Sequence, residues 1–326
     1  MQGKALWYVA PGRAEVREET VDAPEAGEVR VRSLFGAISR GTERLVLAGR
    51  VPVSEYERMR APLMAGTFPF PVKYGYATVG RVEGGTADQR IVFSLHPHQS
   101  LFTISANAVV PVPERVPPRR AVLAANMETA LNALWDGAPG PADRIAVVGG
   151  GLVGLLIGYL CARLPGAEVT VVDVASARAE VAHRIGAHFA NPNAAPRDCD
   201  LVFHTSGTAA GLETALRLAG DETTIVELSW YGTGDVAVPL GEAFHSRRLR
   251  LVSSQVGGVA PSHRPRWTRR RRLMAALALL EEPVLDILLG PSIAFDDLPA
   301  KLPSILGYDS EGMSPLIRYP AADEIS

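Results

Sequence analysis

The chain has little cysteine and no excess of charge of either sign. Only Cys161 and Cys199 occur among its 326 residues, so a disulfide framework is excluded. The first residues, MQGKALWYVAPGRAEVREE, contain no apolar core of a secretory signal, and we therefore expect a cytoplasmic protein. The formal net charge is −2, which gives no reason to expect nucleic acid or a membrane surface as a partner.

One uncharged run, residues 145–162, has the length of a membrane span. It begins with three glycines close to its start, at Gly149, Gly150 and Gly151, and charged β-rich sequence follows it. Glycine weakens a regular helix. The run therefore does not favour a membrane-spanning helix.

A glycine-rich turn between a predicted strand and a predicted helix is the strongest functional signal. The apolar run 145–148 predicts a strand buried on both faces, and residues 152–163 predict the helix. Gly149, Gly151 and Gly154 have the G-x-G-x-x-G spacing, which allows a tight turn, a close approach of backbone to a pyrophosphate, and packing of helix on strand. The first helical turn, with Leu152 and Val153, would direct its amides at the phosphates.

An acidic residue follows where a ribose-binding carboxylate is expected. Residues 168–172 predict the next strand, and Asp173 ends it at about the 20-residue offset of such an acid. Its charge disfavours a 2′-phosphate, which predicts NAD(H) over NADP(H), although Arg178 nearby could accept a phosphate. The alternative role for Asp173 is an N-terminal cap of the following helix. The pattern indicates dinucleotide binding and hence hydride transfer.

The pattern of elements predicts an α/β chain in three segments. Residues 1–118 contain short strands separated by Gly and Pro turns, which is typical of a small, partly open β-barrel, and end in the proline-rich stretch 111–118. Residues 119–255 alternate strands and helices, which predicts a doubly wound parallel sheet. Residues 256–326 lose this alternation.

Several motifs resemble the medium-chain dehydrogenase/reductase superfamily along nearly the whole chain. GTE at Gly41–Glu43 resembles the family's GTD, YGYATVGRV at Tyr74–Val82 resembles GHExxGxV, and Thr205-Ser206-Gly207 lies where a TSG-like turn meets the cofactor. A weaker match, in SRGTE and HSRRLRLVSSQVG, is similar to the branch of bacteriochlorophyllide 2-hydroxyethyl dehydrogenases. The resemblance implies a GroES-like first domain, a Rossmann domain, a tail returning to the first domain, and a homodimer.

The zinc ligands of the family are largely missing. The resemblance implies a cysteine just before the GTD-like motif, where this chain has Arg40 or Ser39, and a histidine where it has Tyr76. Glu128 alone remains at a ligand position, and one carboxylate cannot hold zinc. We therefore expect no catalytic zinc. An unusual set of His96, His98 and Glu128 stays open, because H-x-H in a strand would place both imidazoles on one face.

Three residues are candidates for proton transfer, each with a structural alternative. Thr42 matches the family's relay hydroxyl, or is a turn residue. Tyr76 could donate to a substrate oxygen, or fill the space of the missing metal. Glu128 could be a general acid/base or an orienting partner of Tyr76 or Arg40, or belong to a buried ion pair.

The resemblance predicts an NAD(P)(H)-dependent oxidoreductase that interconverts an alcohol and a ketone or aldehyde of small size without zinc. A zinc-independent quinone or enoyl reductase is the first alternative, and a non-catalytic dinucleotide-binding protein is the second. The basic run 264–272 predicts a solvated helix start or a subunit contact rather than a nucleic-acid site.

Overall fold

The computed structural model describes residues 1–85, 88–307, 313 and 315–324. The chain forms two compact units. Unit 1 contains Met1–Ala125, Leu277–Glu281 and the chain from Leu289 onward, and unit 2 contains Asn126–Ala276 and Glu282–Leu288. Among the described helices, none combines the length and the apolar character that crossing a membrane requires.

The strands are numbered in chain order. They are β1 Gln2–Ala10, β2 Arg13–Thr20, β3 Glu28–Ala37, β4 Ala65–Gly66, β5 Val72–Lys73, β6 Thr78–Glu83, β7 Ile91–Ser94, β8 Leu101–Ser105, β9 Val109–Pro111, β10 Arg144–Val148, β11 Glu168–Val172, β12 His188–Ala190, β13 Cys199–His204, β14 Ala219–Glu227, β15 Arg250–Ser253, β16 Ser292–Ala294 and β17 Leu316–Arg318. The α-helices are α1 Arg40–Leu47, α2 Pro118–Ala121, α3 Ala124–Gly137, α4 Leu152–Cys161, α5 Arg178–Arg184, α6 Ala209–Leu218, α7 Arg269–Ala278 and α8 Leu298–Ile305.

The described residues of unit 1 form two sheets. The smaller has the order β2-β1-β5-β4, and the larger has the order β16-β17-β3-β6-β7-β9, with β8 also pairing with β3. The inner faces of β3, β6 and β8 bury Val31, Val82 and Phe102 together. The late strand β17 joins the larger sheet antiparallel to the end of β3, with Ile317 opposite Gly36. The C-terminal part of the chain therefore completes the sheet that its N-terminal part begins.

Unit 2 contains one six-stranded parallel sheet in the order β12-β11-β10-β13-β14-β15. Counted within the unit, this order is 3-2-1-4-5-6, the order of a dinucleotide-binding doubly wound sheet. Its central strands are almost entirely buried and apolar, as a sheet covered on both faces requires. Strands β11 and β12 extend the sheet on one side of β10, and β13, β14 and β15 extend it on the other side. Sheets of this kind bind ligands at the carboxyl ends of the two strands where the order reverses, which here are β10 and β13.

The helical segment that follows the proline-rich stretch is interrupted. Pro118 starts the short helix α2, which packs on β3 and β6, and α3 begins only at Ala124. The buried Arg120 donates from Nη1 to the carbonyl oxygens of Leu280 and Glu281, at 3.2 and 2.9 Å. These contacts draw α2 into unit 1, so the compact unit extends to Ala125, beyond the boundary expected at residue 118.

Several elements escaped the sequence analysis, and strand β2 and helix α1 are two of them. Strand β2 carries charged side chains on a largely half-exposed surface, so its alternation is weak. Helix α1 spans eight residues and contains the GTE motif that the pattern left without structure. Its short length is the reason that no helical periodicity stands out.

Candidate functional site

The glycine turn after β10 admits no side chain at two of its positions. Gly149 has a φ of +112°, and a Cβ there would lie 2.7 Å from the amide nitrogen of Ser206. A Cβ at Gly154 would lie 1.9 Å from the carbonyl oxygen of Gly149. The first glycine is therefore required by the backbone conformation, and the second by the close packing of α4 on the turn.

The middle glycine of the motif, Gly151, faces open space. A Cβ at Gly151 would have no heavy atom within 4 Å, and its φ of −75° is one that any residue adopts. Gly151 is the N-cap of α4, and no side chain caps this helix. The first turn of α4, with Leu152 and Val153, can therefore offer its backbone amides to an anionic ligand. This open cradle fits a pyrophosphate.

Asp173 reaches the glycine turn directly. Its Oδ2 accepts a hydrogen bond of 2.6 Å from the amide of Gly150, and its Oδ1 accepts one of 2.8 Å from the amide of Ala175. The helix-cap alternative is wrong, because α5 has Ala177 as its N-cap and no side-chain cap. Arg178 also lies beside Gly150: its Cγ and Oδ2 of Asp173 would each be 3.2 Å from a Cβ placed there. The choice between NAD(H) and NADP(H) stays a prediction.

The turn after β13 holds the glycine turn from the neighbouring strand. The amide of Thr205 donates to the carbonyl of Val148 at 2.8 Å, and its Oγ1 donates to the carbonyl of Gly149 at 2.9 Å. Ser206 uses its hydroxyl within the fold, at 2.7 Å from Nε2 of His204. Both predicted cofactor-binding side chains thus shape the site, and a direct contact with the cofactor stays a prediction.

A polar network lies beneath this turn. Nδ1 of the fully buried His204 is 2.7 Å from Oε2 of Glu227, which also accepts a hydrogen bond of 3.1 Å from the hydroxyl of Tyr231. Oε1 of Glu227 accepts from the amide of Ser229 at 2.7 Å. Burial acts to raise the pKa of Glu227, but the hydrogen bonds from His204 and Ser229 outweigh it and hold the pKa below its usual value. Glu227 is therefore an ionised acceptor at neutral pH.

In unit 1, Thr42 and Tyr76 come together. The Tyr76 hydroxyl forms hydrogen bonds with the side chains of Ser39 and Thr42, at the start of α1. Burial raises the pKa of Tyr76 to about 12, and these two hydrogen bonds act in the opposite direction. The phenol is therefore protonated at neutral pH and belongs to a chain of hydroxyls. Its role in catalysis stays a prediction.

The start of α1 is anchored by a buried carboxylate. Glu43 accepts hydrogen bonds from the Tyr8 hydroxyl at 2.5 Å and from the Ser39 amide at 2.7 Å, and Nε2 of His98 lies 3.0 Å from its Oε2. Glu43 and His98 are both fully buried. All of these partners belong to unit 1, so Glu43 fixes the start of α1, the helix that carries Thr42.

Glu128 lies in unit 2 and is engaged by an arginine. Its Oε1 accepts from Nε of Arg272 at 3.0 Å, and Arg272 also donates to Oδ1 of Asn132 and to the carbonyls of Val256 and Gly258. Burial raises the pKa of Glu128, while the charge of Arg272 acts to lower it. This geometry favours the ion-pair alternative over a free acid/base.

Each donor considered for an unusual zinc site has another partner. His96 stacks on Phe102, with ring centroids 3.6 Å apart, and its Nδ1 lies 2.9 Å from the carbonyl oxygen of Pro97. His98 bonds Glu43, and Glu128 bonds Arg272. Across the part of the chain that the structure describes, no three His, Cys, Asp or Glu side chains form a group that could hold a metal ion. These residues therefore do not fit the zinc that the resemblance implies.

Sequence reasoning missed Gly150, His204 and Glu227. A signal for the last two was present, since both are polar residues that follow apolar runs in the segment 119–255, for which a parallel sheet was predicted. Carboxyl ends of neighbouring parallel strands share one edge of a sheet. Their pairing could therefore have been considered once the strand order was assumed.

Solved structures of dehydrogenases share this fold. A protein from Sinorhizobium meliloti 1021 described as a zinc-binding dehydrogenase, bound to NADP, has a TM-score of 0.77 and 18% identity over 98% of this chain and 99% of that chain. A short chain alcohol dehydrogenase from Escherichia coli CFT073, complexed with NADH, has a TM-score of 0.75 and 17% identity over 97% of this chain and 99% of that chain. L-idonate 5-dehydrogenase from Escherichia coli K-12 has a TM-score of 0.77 and 14% identity over 98% of each chain.

Neither a family model nor a curated protein sequence matches the chain. At these identities the likeness concerns the fold. The predicted combination of a Rossmann doubly wound sheet with a GroES-like β-rich domain is confirmed, and the chain shares this fold with the dehydrogenases above.

Proposed function

We propose that this protein is a nicotinamide-dependent oxidoreductase that interconverts a small alcohol and its ketone or aldehyde without catalytic zinc. The observation that carries the proposal is the open glycine cradle at the reversal point of a 3-2-1-4-5-6 sheet, with Asp173 bonded to its Gly150 amide. The NADP and NADH held by two proteins of the same fold support it. We propose NAD(H) as the preferred cofactor.

The roles of the binding residues follow from this cradle. The amides of the first turn of α4 would hold the pyrophosphate, and Asp173 would accept hydrogen bonds from ribose hydroxyls. Its negative charge would oppose a 2′-phosphate. The bound nicotinamide supplies the hydride acceptor or donor at its C4 atom.

The proton of the substrate oxygen would be handled by hydroxyl groups. Tyr76 stays protonated at neutral pH and can donate to an oxygen that gains negative charge, while Thr42 can donate and accept at once. Glu43 would hold α1, and hence Thr42, in place through the Ser39 amide. Since Glu128 is engaged by Arg272, the proposal does not depend on it for proton transfer.

A second candidate is a zinc-independent quinone or enoyl reductase. It is favoured by the lack of fit to zinc among the described residues, since a phenol suffices as a donor to an enolate oxygen. We further propose a homodimer, a small-molecule substrate and a cytoplasmic location, of which light scattering in solution tests the first.

Transfer of deuterium from NADH labelled at C4 tests the proposal. Purified protein is incubated with ketones, aldehydes, quinones and enones, both with and without a chelator. Mass spectrometry then detects deuterium in each product. We expect deuterium on a carbonyl carbon and equal rates with the chelator. Deuterium on the β-carbon of an enone alone, or oxidation of NADH by a quinone alone, would favour the second candidate, and loss of activity that zinc restores would refute the metal-free site. Binding of NADH without any transfer would favour a non-catalytic protein.

A further inference from the structure

Four side chains form a continuous hydrogen-bonded line at the carboxyl edge of β13 and β14. Ser206 Oγ lies 2.7 Å from His204 Nε2, His204 Nδ1 lies 2.7 Å from Glu227 Oε2, and the Tyr231 hydroxyl donates to the same carboxylate oxygen. His204 and Glu227 are paired in register on the two strands. Because Glu227 is ionised, it orients the imidazole with Nδ1 as the donor and leaves Nε2 to face Ser206.

The line is coupled to the turn that closes the glycine cradle. The amide of Gly207 donates to Ser229 Oγ at 3.0 Å, and the Ser229 amide donates to Glu227. Thr205, the residue before Ser206, is bonded to the carbonyls of Val148 and Gly149. The network therefore connects the ends of β10, β13 and β14, and it lies beneath the half of the site opposite to Asp173, which follows β11.

The order serine, imidazole and carboxylate is also that of a hydrolytic triad. A nucleophile needs a hydroxyl that a substrate can reach. Ser206 Oγ instead packs against Gly211, where an added Cβ would lie only 1.9 Å from it, and it is also 3.0 Å from Thr208 Oγ1. The hydroxyl is directed into the start of α6. Geometry thus favours a positioning role over a nucleophilic one.

We propose that His204, Glu227 and Ser206 are positioning residues that fix the turn Thr205–Thr208 against the nicotinamide half of a bound dinucleotide. The inference rests on the proposed dinucleotide binding and deepens it. The two mononucleotide halves of a dinucleotide bind the two halves of such a sheet. The adenosine half then depends on β10, β11 and Asp173, and the nicotinamide half depends on β13 and β14.

Affinities for NADH and for AMP separate the two halves. Ser206→Ala and His204→Asn remove the bond between the serine and the imidazole, and we expect them to weaken NADH binding about three- to tenfold, the effect of one buried hydrogen bond. The Kd for AMP, which occupies the adenosine half, should change less than about twofold. His204→Gln restores an amide near the position of Nε2, and we expect it to retain most of the NADH affinity.

Thr223→Val is the matched control. Thr223 is buried on the same pair of strands but away from their carboxyl ends, and its Oγ1 donates to the carbonyl of Cys199, the first residue of β13, at 2.6 Å. This variant should lower the unfolding temperature and leave the Kd for NADH unchanged. Thermal unfolding of all variants shows which of them fold.

Each other outcome overturns the inference or its premise. Equal loss of NADH and AMP affinity, or unchanged NADH affinity in folded Ser206 and His204 variants, contradicts a positioning role for the nicotinamide half. Labelling of the wild-type protein, but not of Ser206→Ala, by a serine-reactive fluorophosphonate would replace it with a nucleophilic role. If the wild-type protein binds neither NADH nor NADPH, the proposed function fails instead.

Discussion

Substitution of Gly151 by alanine separates ligand binding from folding. An alanine Cβ at this position meets no heavy atom within 4 Å, and the backbone conformation suits any residue, so the fold is not strained. The loss of a favoured N-cap glycine costs about 0.5–1 kcal/mol. The same Cβ enters the space through which a pyrophosphate approaches the α4 amides. We expect Gly151→Ala to weaken NADH binding at least about tenfold, or about 1.4 kcal/mol.

Two further alanine variants complete the experiment. Gly154→Ala places a Cβ 1.9 Å from the carbonyl oxygen of Gly149, which forces α4 from the turn and costs about 1–3 kcal/mol of folding free energy or more. It should lose both stability and binding. Gly241→Ala also faces open space in unit 2 but lies outside the cradle, and it should lose neither. Thermal unfolding and NADH fluorescence measure both quantities. Normal NADH affinity of Gly151→Ala would refute the assignment of the cradle.

Four more predictions concern individual side chains. Tyr76→Phe should lower kcat about a hundredfold with an unchanged Kd for NADH, because only the hydroxyl is removed. Normal turnover of this variant would mean that Tyr76 only fills space. Asp173→Asn keeps an acceptor oxygen but loses its charge, so the ratio of the NADPH and NADH Kd values should fall about tenfold, and an unchanged ratio would contradict the repulsion. Glu128→Ala leaves the guanidinium of Arg272, which is 1% exposed, without its carboxylate and should cost about 3–5 kcal/mol in urea unfolding, whereas a catalytic Glu128 would lower kcat at constant stability. Burial lowers the pKa of His96 from 6.5 to about 3. Between about pH 3 and pH 6.5 this imidazole is therefore protonated in the unfolded chain but neutral in the folded protein. Stability should fall by about 2 kcal/mol from pH 7 to pH 5 through this group alone, and His96→Phe should remove that part of the loss.

Local features of the site could be predicted from the sequence, while the pairs that join distant segments could not. The glycine turn and Asp173 belong to one strand–helix–strand unit, whose spacing alone fixes their relation. Glu43 and His98 are separated by 55 positions, and Glu128 and Arg272 by 144. Each of these partners is one of many charged or polar residues in the chain. Their choice follows from packing between elements, for which a single sequence carries no periodic signal.

For the zinc site that the resemblance implies, too, the sequence supplied residue identities but not the contacts between distant segments. The sequence alone identified Ser39, Arg40 and Tyr76 at the positions where the resemblance implies zinc ligands and related residues. It could not show that the Tyr76 hydroxyl bonds Ser39 and Thr42, or that Glu43 takes His98 as its partner. The H-x-H spacing suggested a shared face for His96 and His98, but neither lies in a regular strand. Strand periodicity therefore did not apply to them.

Titration of the purified protein with NADH, followed by the fluorescence of the reduced nicotinamide, measures whether the glycine cradle binds a dinucleotide. We expect saturable binding of one NADH per chain, with competition by NAD and weaker competition by AMP. Absence of binding by both NADH and NADPH at millimolar concentration, in protein that unfolds cooperatively, would contradict the assignment of the glycine cradle and every function built on it.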